Sequence, residues 1–310
     1  MTPKRALAGL RRLARSGRGC PFLAIDLDHQ GNFSSAVTLS KRAHVASTTA
    51  DQLPSHPNVK LPAERYVLVP AADPLLGLER QPTQHTSFAR YLRDFLNSVD
   101  QQFDLCVTDT HPNPDIRLIA ALATGDFVLS PIQLNQEAID GVRALLHDPP
   151  VGFHKIKAVL NPKLAMIGLL PTMVEPTPFQ KANFPALVQK YAPMMIKLSD
   201  AAGDFARIPK RSAIAEAQAD GLLLWEMKKT AARDTWAEIE PSLRRTTQIV
   251  LRANVGPGTN SARETSHALR PGCVASGHDG PKYADTSPGK QILANHLLHR
   301  RLCLTTTRAT

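Results

Sequence analysis

No stretch of eighteen apolar residues occurs in the chain, so nothing in it reads as a membrane-spanning helix. Cysteine is scarce and scattered. Cys20, Cys106, Cys273 and Cys303 form no CxxC pair, which argues against a disulfide framework or a cysteine zinc site and suits a reducing compartment. Aromatic residues make up only 5%, so any core must be mainly aliphatic. Acidic residues are missing altogether from residues 1–20, which hold six lysines and arginines. Residues 253–310 hold seven basic and three acidic residues, while residues 21–252 are balanced. The net charge of +10 therefore sits at the two ends, and affinity of the central region for a polyanion would have to come from local clustering. An acid-free, Arg-rich start is also a property of mitochondrial transit peptides. Here it runs directly into an apolar segment at Phe22, and the spacing of Leu7, Leu10 and Ala14 suits an ordinary helix over residues 5–15.

What is present is a 43% hydrophobic chain with an alternating pattern. Short apolar runs at Phe22–Leu27, Arg65–Pro70, Leu105–Thr108, Phe127–Ile132 and Ala165–Met173 read as buried strands. Helical periodicity falls between and after them, at about 86–100, 115–124, 135–147, 178–191, 211–219 and 227–252. Such alternation predicts an α/β fold with a mostly parallel, twisted sheet flanked by helices. Ser40–Pro62, rich in Ser, Thr, Pro and His, reads as a surface loop, and no internal repeat is visible. Residues 254–310 contain six glycines and four prolines without sustained periodicity, which predicts a disordered tail. The expected organisation is one domain over residues 1–252 and a tail over 253–310.

Chemistry is concentrated at strand ends. Phe22-Leu-Ala-Ile-Asp26-Leu-Asp28-His-Gln-Gly-Asn32 is an apolar run closing on two carboxylates one residue apart, then a turn. A parallel strand of this kind delivers its acids to the carboxyl edge of the sheet, where ligands of open α/β folds bind. Two acids at i and i+2 can orient a water or reach a metal-bound phosphate; equally, they suit a plain strand end with a turn-capping Asp. Leu105-Cys-Val-Thr-Asp109-Thr-His-Pro112 is a second apolar strand closing on an acid. The scattered histidines His267, His278, His296 and His299 lack metal-ligand spacing.

In this order the motifs resemble the ParA/MinD family of deviant Walker ATPases, and most closely the plasmid and chromosome partition ParA proteins. Asp26-Leu-Asp28-His-Gln-Gly-Asn32 is similar to the family's DxDxQGN motif. Phe103-Asp-Leu-Cys-Val-Thr-Asp109-Thr-His-Pro112 is similar to its acid-ended DTPP segment, with His111 in place of the first proline. Asp126–Gln133, Asn161–Leu164, Gly168–Pro176, Ile208–Arg211 and Ala215–Gly221 resemble its later segments, so the likeness runs from about residue 5 to 250. The resemblance implies a P-loop NTPase-like fold and an ATP- and Mg2+-dependent homodimer. It also implies a cytoplasmic, nucleoid-associated bacterial protein that binds DNA nonspecifically and works with a centromere-binding partition protein. By residue it implies that Asp26 and Asp28 lie near the attacking water, that Asp109 stands on the magnesium side, and that Pro209 lies near the adenine.

One family element is not in the sequence. The glycine-rich phosphate loop KGGxGK[ST], whose backbone N–H groups cradle phosphate, does not occur. Lys4 has no glycine before it and reads as a solvated residue at a helix start. The chain as written is therefore expected to bind ATP weakly or not at all, and its sheet to lack the strand that precedes that loop. That lack would leave an open slot in the sheet. For DNA the candidates are Lys210, Arg211, Lys228, Lys229, Arg233, Arg244, Arg245 and Arg252. They lie within residues 207–252, which hold nine basic and six acidic residues and equally suit a solvated helical face. Residues 291–304 could form a short basic amphipathic helix, but no membrane role is expected. Two readings follow from the residues and the resemblance: a partition ATPase acting on DNA, or a non-catalytic remnant or binding module that keeps the fold without the nucleotide.

Overall fold

The computed structural model describes residues 21–53, 59–80, 82–111, 115–149, 152–201, 203–252 and 300–305. The expected helix over 5–15, Lys4 and the four scattered histidines lie outside the described residues.

Among the described residues seven strands form one sheet: β1 (Phe22–Asp26), β2 (His44–Val45), β3 (Tyr66–Val69), β4 (Leu105–Thr110), β5 (Phe127–Gln133), β6 (Ala165–Thr172) and β7 (Arg300–Thr305). Their order is β2-β3-β1-β4-β7-β5-β6, and every pairing is parallel. The helices are α1 (Asn32–Ser40), α2 (Pro82–Ser98), α3 (Ile116–Thr124), α4 (Gln136–His147), α5 (Phe153–Val159), α6 (Pro178–Tyr191), α7 (Ser212–Ala219) and α8 (Thr230–Arg252).

Alternating side chains along each strand serve two cores, as a sheet covered on both faces requires. Leu23, Ile25, Val67, Val69, Cys106 and Val128 pack on one side with Phe88, Leu92 and Phe95 of α2, Leu118 and Leu122 of α3, and Phe153 of α5. Leu105, Val107, Phe127, Leu129 and Ile167 face the other way, against Ile196, Ala206 and Val250 of α8. A smaller cluster joins Ala213 and Ala217 of α7 to Ala232 and Ile239 of α8, with Leu224 and Met227 between them. Gly168 sits where the β5–β6 register shifts; at its φ of 150°, a Cβ would lie 2.8 Å from the Met194 carbonyl oxygen.

The expected strands β1 and β3–β6 are present, as are the expected helices α2, α3, α4, α6, α7 and α8, with ends moved by a few residues. Two α-helices and a short strand within residues 21–252 are additions. Helix α1 follows the turn after Asp28, α5 lies between α4 and β6, and the two-residue β2 pairs with β3 inside the segment expected to be loop. The structure also corrects the tail reading for six residues. Arg300–Thr305 is neither tail nor amphipathic helix but β7, paired over six residues with β4 and over three with β5. Its Leu, Cys and Thr content suits a strand. A strand this short carries no periodicity of its own to read. β7 stands between β4 and β5, so the sheet of the described residues runs on without the open slot that was expected in it.

Candidate functional site

Asp26 ends β1 and stands directly across from Asp109 of β4. The backbone ties the two strand ends together, because Leu27 N donates to the Asp109 carbonyl at 2.9 Å. Beyond Asp26 the chain turns sharply. Gln30 N donates to Asp28 Oδ1 at 3.0 Å, Gly31 N donates to the Asp28 carbonyl at 2.9 Å, and Gly31 adopts φ 63°. An Asp that accepts from the backbone two residues on, followed by a left-handed glycine, accounts for the Asp-His-Gln-Gly turn. The turn places the start of α1 over the end of β1.

That placement determines what Asp26 does. Its carboxylate is fully buried and accepts from Asp28 N at 3.0 Å, from Ser34 N at 2.8 Å and from Ser34 Oγ at 2.6 Å. Ser34 Oγ in turn accepts from Ala71 N at 3.0 Å, so Asp26 links β1, α1 and the segment after β3. Burial raises its pKa above the ordinary 3.8, and the Ser34 bonds pull it back down. Asp28, by contrast, is only partly buried. Asp109 is pushed up to about 7, first by burial and then by the negative charges of Asp26 and Asp28. Three carboxylates thus crowd one strand edge, and none forms an ion pair with a lysine or arginine among the described residues.

Four further residues border the acids. Asp115 caps α3, accepting from Arg117 N at 2.9 Å, and also accepts from Arg117 Nε at 2.8 Å and from Arg117 Nη2. Both side chains of this ion pair are buried. Arg117 Nη1 lies 3.1 Å from His29 Nδ1, and His29 stacks at a tilt against His111 with ring centroids 5.3 Å apart. Burial lowers the His111 pKa. The Asp115 cap is legible in sequence as an acid preceding an apolar helical run. The approach of Arg117 and His111 to His29 is not, because 82 to 88 residues separate them in the chain.

The other expected site residues lie elsewhere. Pro209 is buried and bridges Val174, just past β6. β6 is three strand spacings from β4 and Pro209 lies one further, roughly 19 Å away, and so is not beside the acids. Lys210 and Arg211 precede α7, Lys228 and Lys229 precede α8, and Arg233, Arg244, Arg245 and Arg252 lie along α8. Lys210 pairs with Glu175 at 3.2 Å, Arg211 with Glu238 at 2.9 Å and Lys229 with Glu216 at 2.7 Å. Arg244 pairs with Glu240, Arg245 donates to the Lys197 carbonyl at 2.9 Å, and Arg233 donates to Thr230 Oγ1 at 3.2 Å. Lys228 is exposed and has no ion-pair partner among the described residues.

Among the described residues no loop of successive glycines stands beside the acids. No helix of the described residues is long and apolar enough to cross a membrane.

A family model described as an AAA domain matches residues 11–166. Protein IncC of Escherichia coli is 29% identical over 233 residues, covering 72% of this chain and 59% of that protein. The chromosome partitioning protein ParA of Myxococcus xanthus is 32% identical over 158 residues, covering 49% of this chain and 54% of that one. The chain thus spans somewhat more than half the length of these relatives. Among solved structures, a complex of Cyanothece McdA with ATP superposes with a TM-score of 0.56 at 17% identity, covering 78% of this chain and 93% of that one, and so shares its fold.

Proposed function

We propose that this chain, which belongs to the ParA/MinD family, acts in the partition of a plasmid or chromosome. The observation that carries the reading is the pairing of Asp26 with Asp109 at one strand edge, with Asp28 beside them, inside an ordered set of family motifs. Relatives named as partition proteins support the role.

The acid side of a nucleotide site fits a divalent cation. Burial and the neighbouring carboxylates push Asp109 up to about 7, and a positive ion between the acids would relieve their repulsion. Asp109 is the residue that would hold Mg2+, which would supply charge neutralisation to a bound nucleoside triphosphate. Asp26, saturated by Ser34 and Asp28 N, would act by fixing the strand end, and Asp28 would orient a water. Pro209 would contact the adenine. Nonspecific DNA would lie across Lys210, Arg211, Lys228, Lys229 and Arg233, the protein working as a homodimer with a centromere-binding partner on the nucleoid in the cytoplasm. To reach phosphates, Lys210, Arg211 and Lys229 must exchange their glutamates for DNA, which makes the affinity strongly salt-dependent.

A second reading, a binding module that keeps the fold without nucleotide, is favoured by one observation. The 310 residues contain no glycine-rich phosphate loop. Calorimetry of the 310-residue chain with ATP and Mg2+ decides between them. Submillimolar, magnesium-dependent affinity supports the ATPase and removes the module. For the DNA role, a Lys228→Glu/Lys229→Glu variant should lose most of its binding to a random duplex at low salt. Equal binding by that variant discards this surface.

A further inference from the structure

We propose that Asp28, His29 and His111 form a site for a divalent transition-metal ion at the carboxyl edge of β1 and β4, used independently of any nucleotide. Each of the three offers a ligand atom, and these atoms all lie within 4.8 Å of one another. All three residues are partly buried, which shields a site while leaving it open to entry. His29 Nδ1 already stands 3.6 Å from Asp28 Oδ1. Around a tetrahedral ion with bonds of about 2.0–2.2 Å, ligand atoms sit roughly 3.4 Å apart. The site therefore closes on a metal by an inward movement of about 1 Å, within reach of rotations of Asp28 and His29 on their turn.

The donor set decides the kind of ion. Two imidazoles and one carboxylate suit Zn2+ and its first-row neighbours, whereas Mg2+ takes oxygen and dehydrates reluctantly. The neighbours supply an orienting shell. With metal on His29 Nδ1, the Nε2–H faces the Gln30 side-chain amide at 2.8 Å, whose oxygen and nitrogen are interchangeable by rotation. Arg117 Nη1, 3.1 Å from that same Nδ1, gives up this contact on metal binding. Arg117 keeps its Nε and Nη2 bonds to Asp115, and its charge stays matched. Three protein ligands leave a further coordination position open to water or an incoming anion. His111 occupies the place where the family motif carries a proline, so the site belongs to this chain and not to the motif.

The test uses the full chain, stripped of metal by chelation, in nucleotide-free buffer with millimolar Mg2+ present throughout. Zn2+ is titrated by calorimetry, and Co2+ serves as an optical probe of coordination. The expected result is a Zn2+ site insensitive to Mg2+ whose affinity falls at least about tenfold in His29→Ala, in His111→Ala and in Asp28→Asn. His154→Ala provides the control. His154 is an exposed histidine whose ring lies 5.0 Å from that of His147, and its removal should leave this site unchanged. Zn2+ affinity unchanged in both His29→Ala and His111→Ala, or lost with His154→Ala instead, overturns the proposal. Should a variant fail to fold by circular dichroism, Zn2+ added to the unaltered chain must shift the imidazole nitrogen resonances of His29 and His111. Unshifted resonances overturn the proposal equally. Because no nucleotide or DNA enters the experiment, its failure leaves the partition reading untouched.

Discussion

At the carboxyl edge of β1 and β4, three acids crowd together with no lysine or arginine paired to them among the described residues; along α7 and α8, most of the basic side chains already have a carboxylate or carbonyl. The first arrangement holds one buried and two partly buried carboxylates whose mutual repulsion, with burial, pushes Asp109 up, and strain of that kind persists where a ligand is meant to relieve it. The second is electrically quiet and must be broken open before it can hold a polyanion. A sequence-level count of charge cannot tell these apart, because pairing depends on the fold.

The largest expected effect lies at the border of the acid edge. Asp115→Ala removes the cap of α3 and strands a buried Arg117, which should cost about 3–5 kcal/mol in urea denaturation. A loss under about 1 kcal/mol would mean that Arg117 finds another carboxylate among the three acids, and that the edge is less isolated than described.

Next comes Ser34→Ala, which takes one donor from the buried Asp26 and the acceptor from Ala71 N. A loss of about 1–3 kcal/mol is expected by the same measurement, and it should lessen at low pH, where a protonated Asp26 needs the donor less.

Asp109→Asn should act in the opposite direction. The unfolded chain releases this proton near 3.8 and the folded chain near 7, so the folded state binds more protons between those values. Stability contributed by this group therefore falls as pH rises across that window. Asparagine removes the charge, so the variant should gain on the order of 1–2 kcal/mol at about pH 8 and flatten the pH profile between roughly 4 and 7. A profile as steep as before would assign the pH dependence to other groups.

The smallest effect belongs to the basic face. Lys229→Ala breaks an exposed pair with Glu216 and should change stability only marginally, fading further with added salt. A clear loss would show that the pairs of α7 and α8 hold the fold and are not available to a ligand.

Much of this architecture was legible before the structure. Apolar runs ending in acids located β1 and β4, and the alternation of runs and periodic segments gave the parallel sheet. β7 was hidden because six residues of Leu, Cys, Thr and Arg carry little signal, and because its partners in β4 and β5 lie well over a hundred residues away. β2 was hidden because two residues have no period. At the site, the two strand-end acids were readable, but the burial of Asp26 by Ser34 and the meeting of His29, His111 and Arg117 are products of the turn after Asp28. Lys210, Arg211 and Lys229 looked like open cations because their glutamates stand 13 to 35 residues away in sequence.

The crowding of carboxylates at the β1–β4 edge is most directly tested by titrating the Asp109 side-chain carboxyl carbon by NMR, with and without Mg2+. Half-protonation near pH 7 without the ion, moving well down when Mg2+ is added, is the predicted result. Titration near the ordinary 3.8, unmoved by Mg2+, would contradict it.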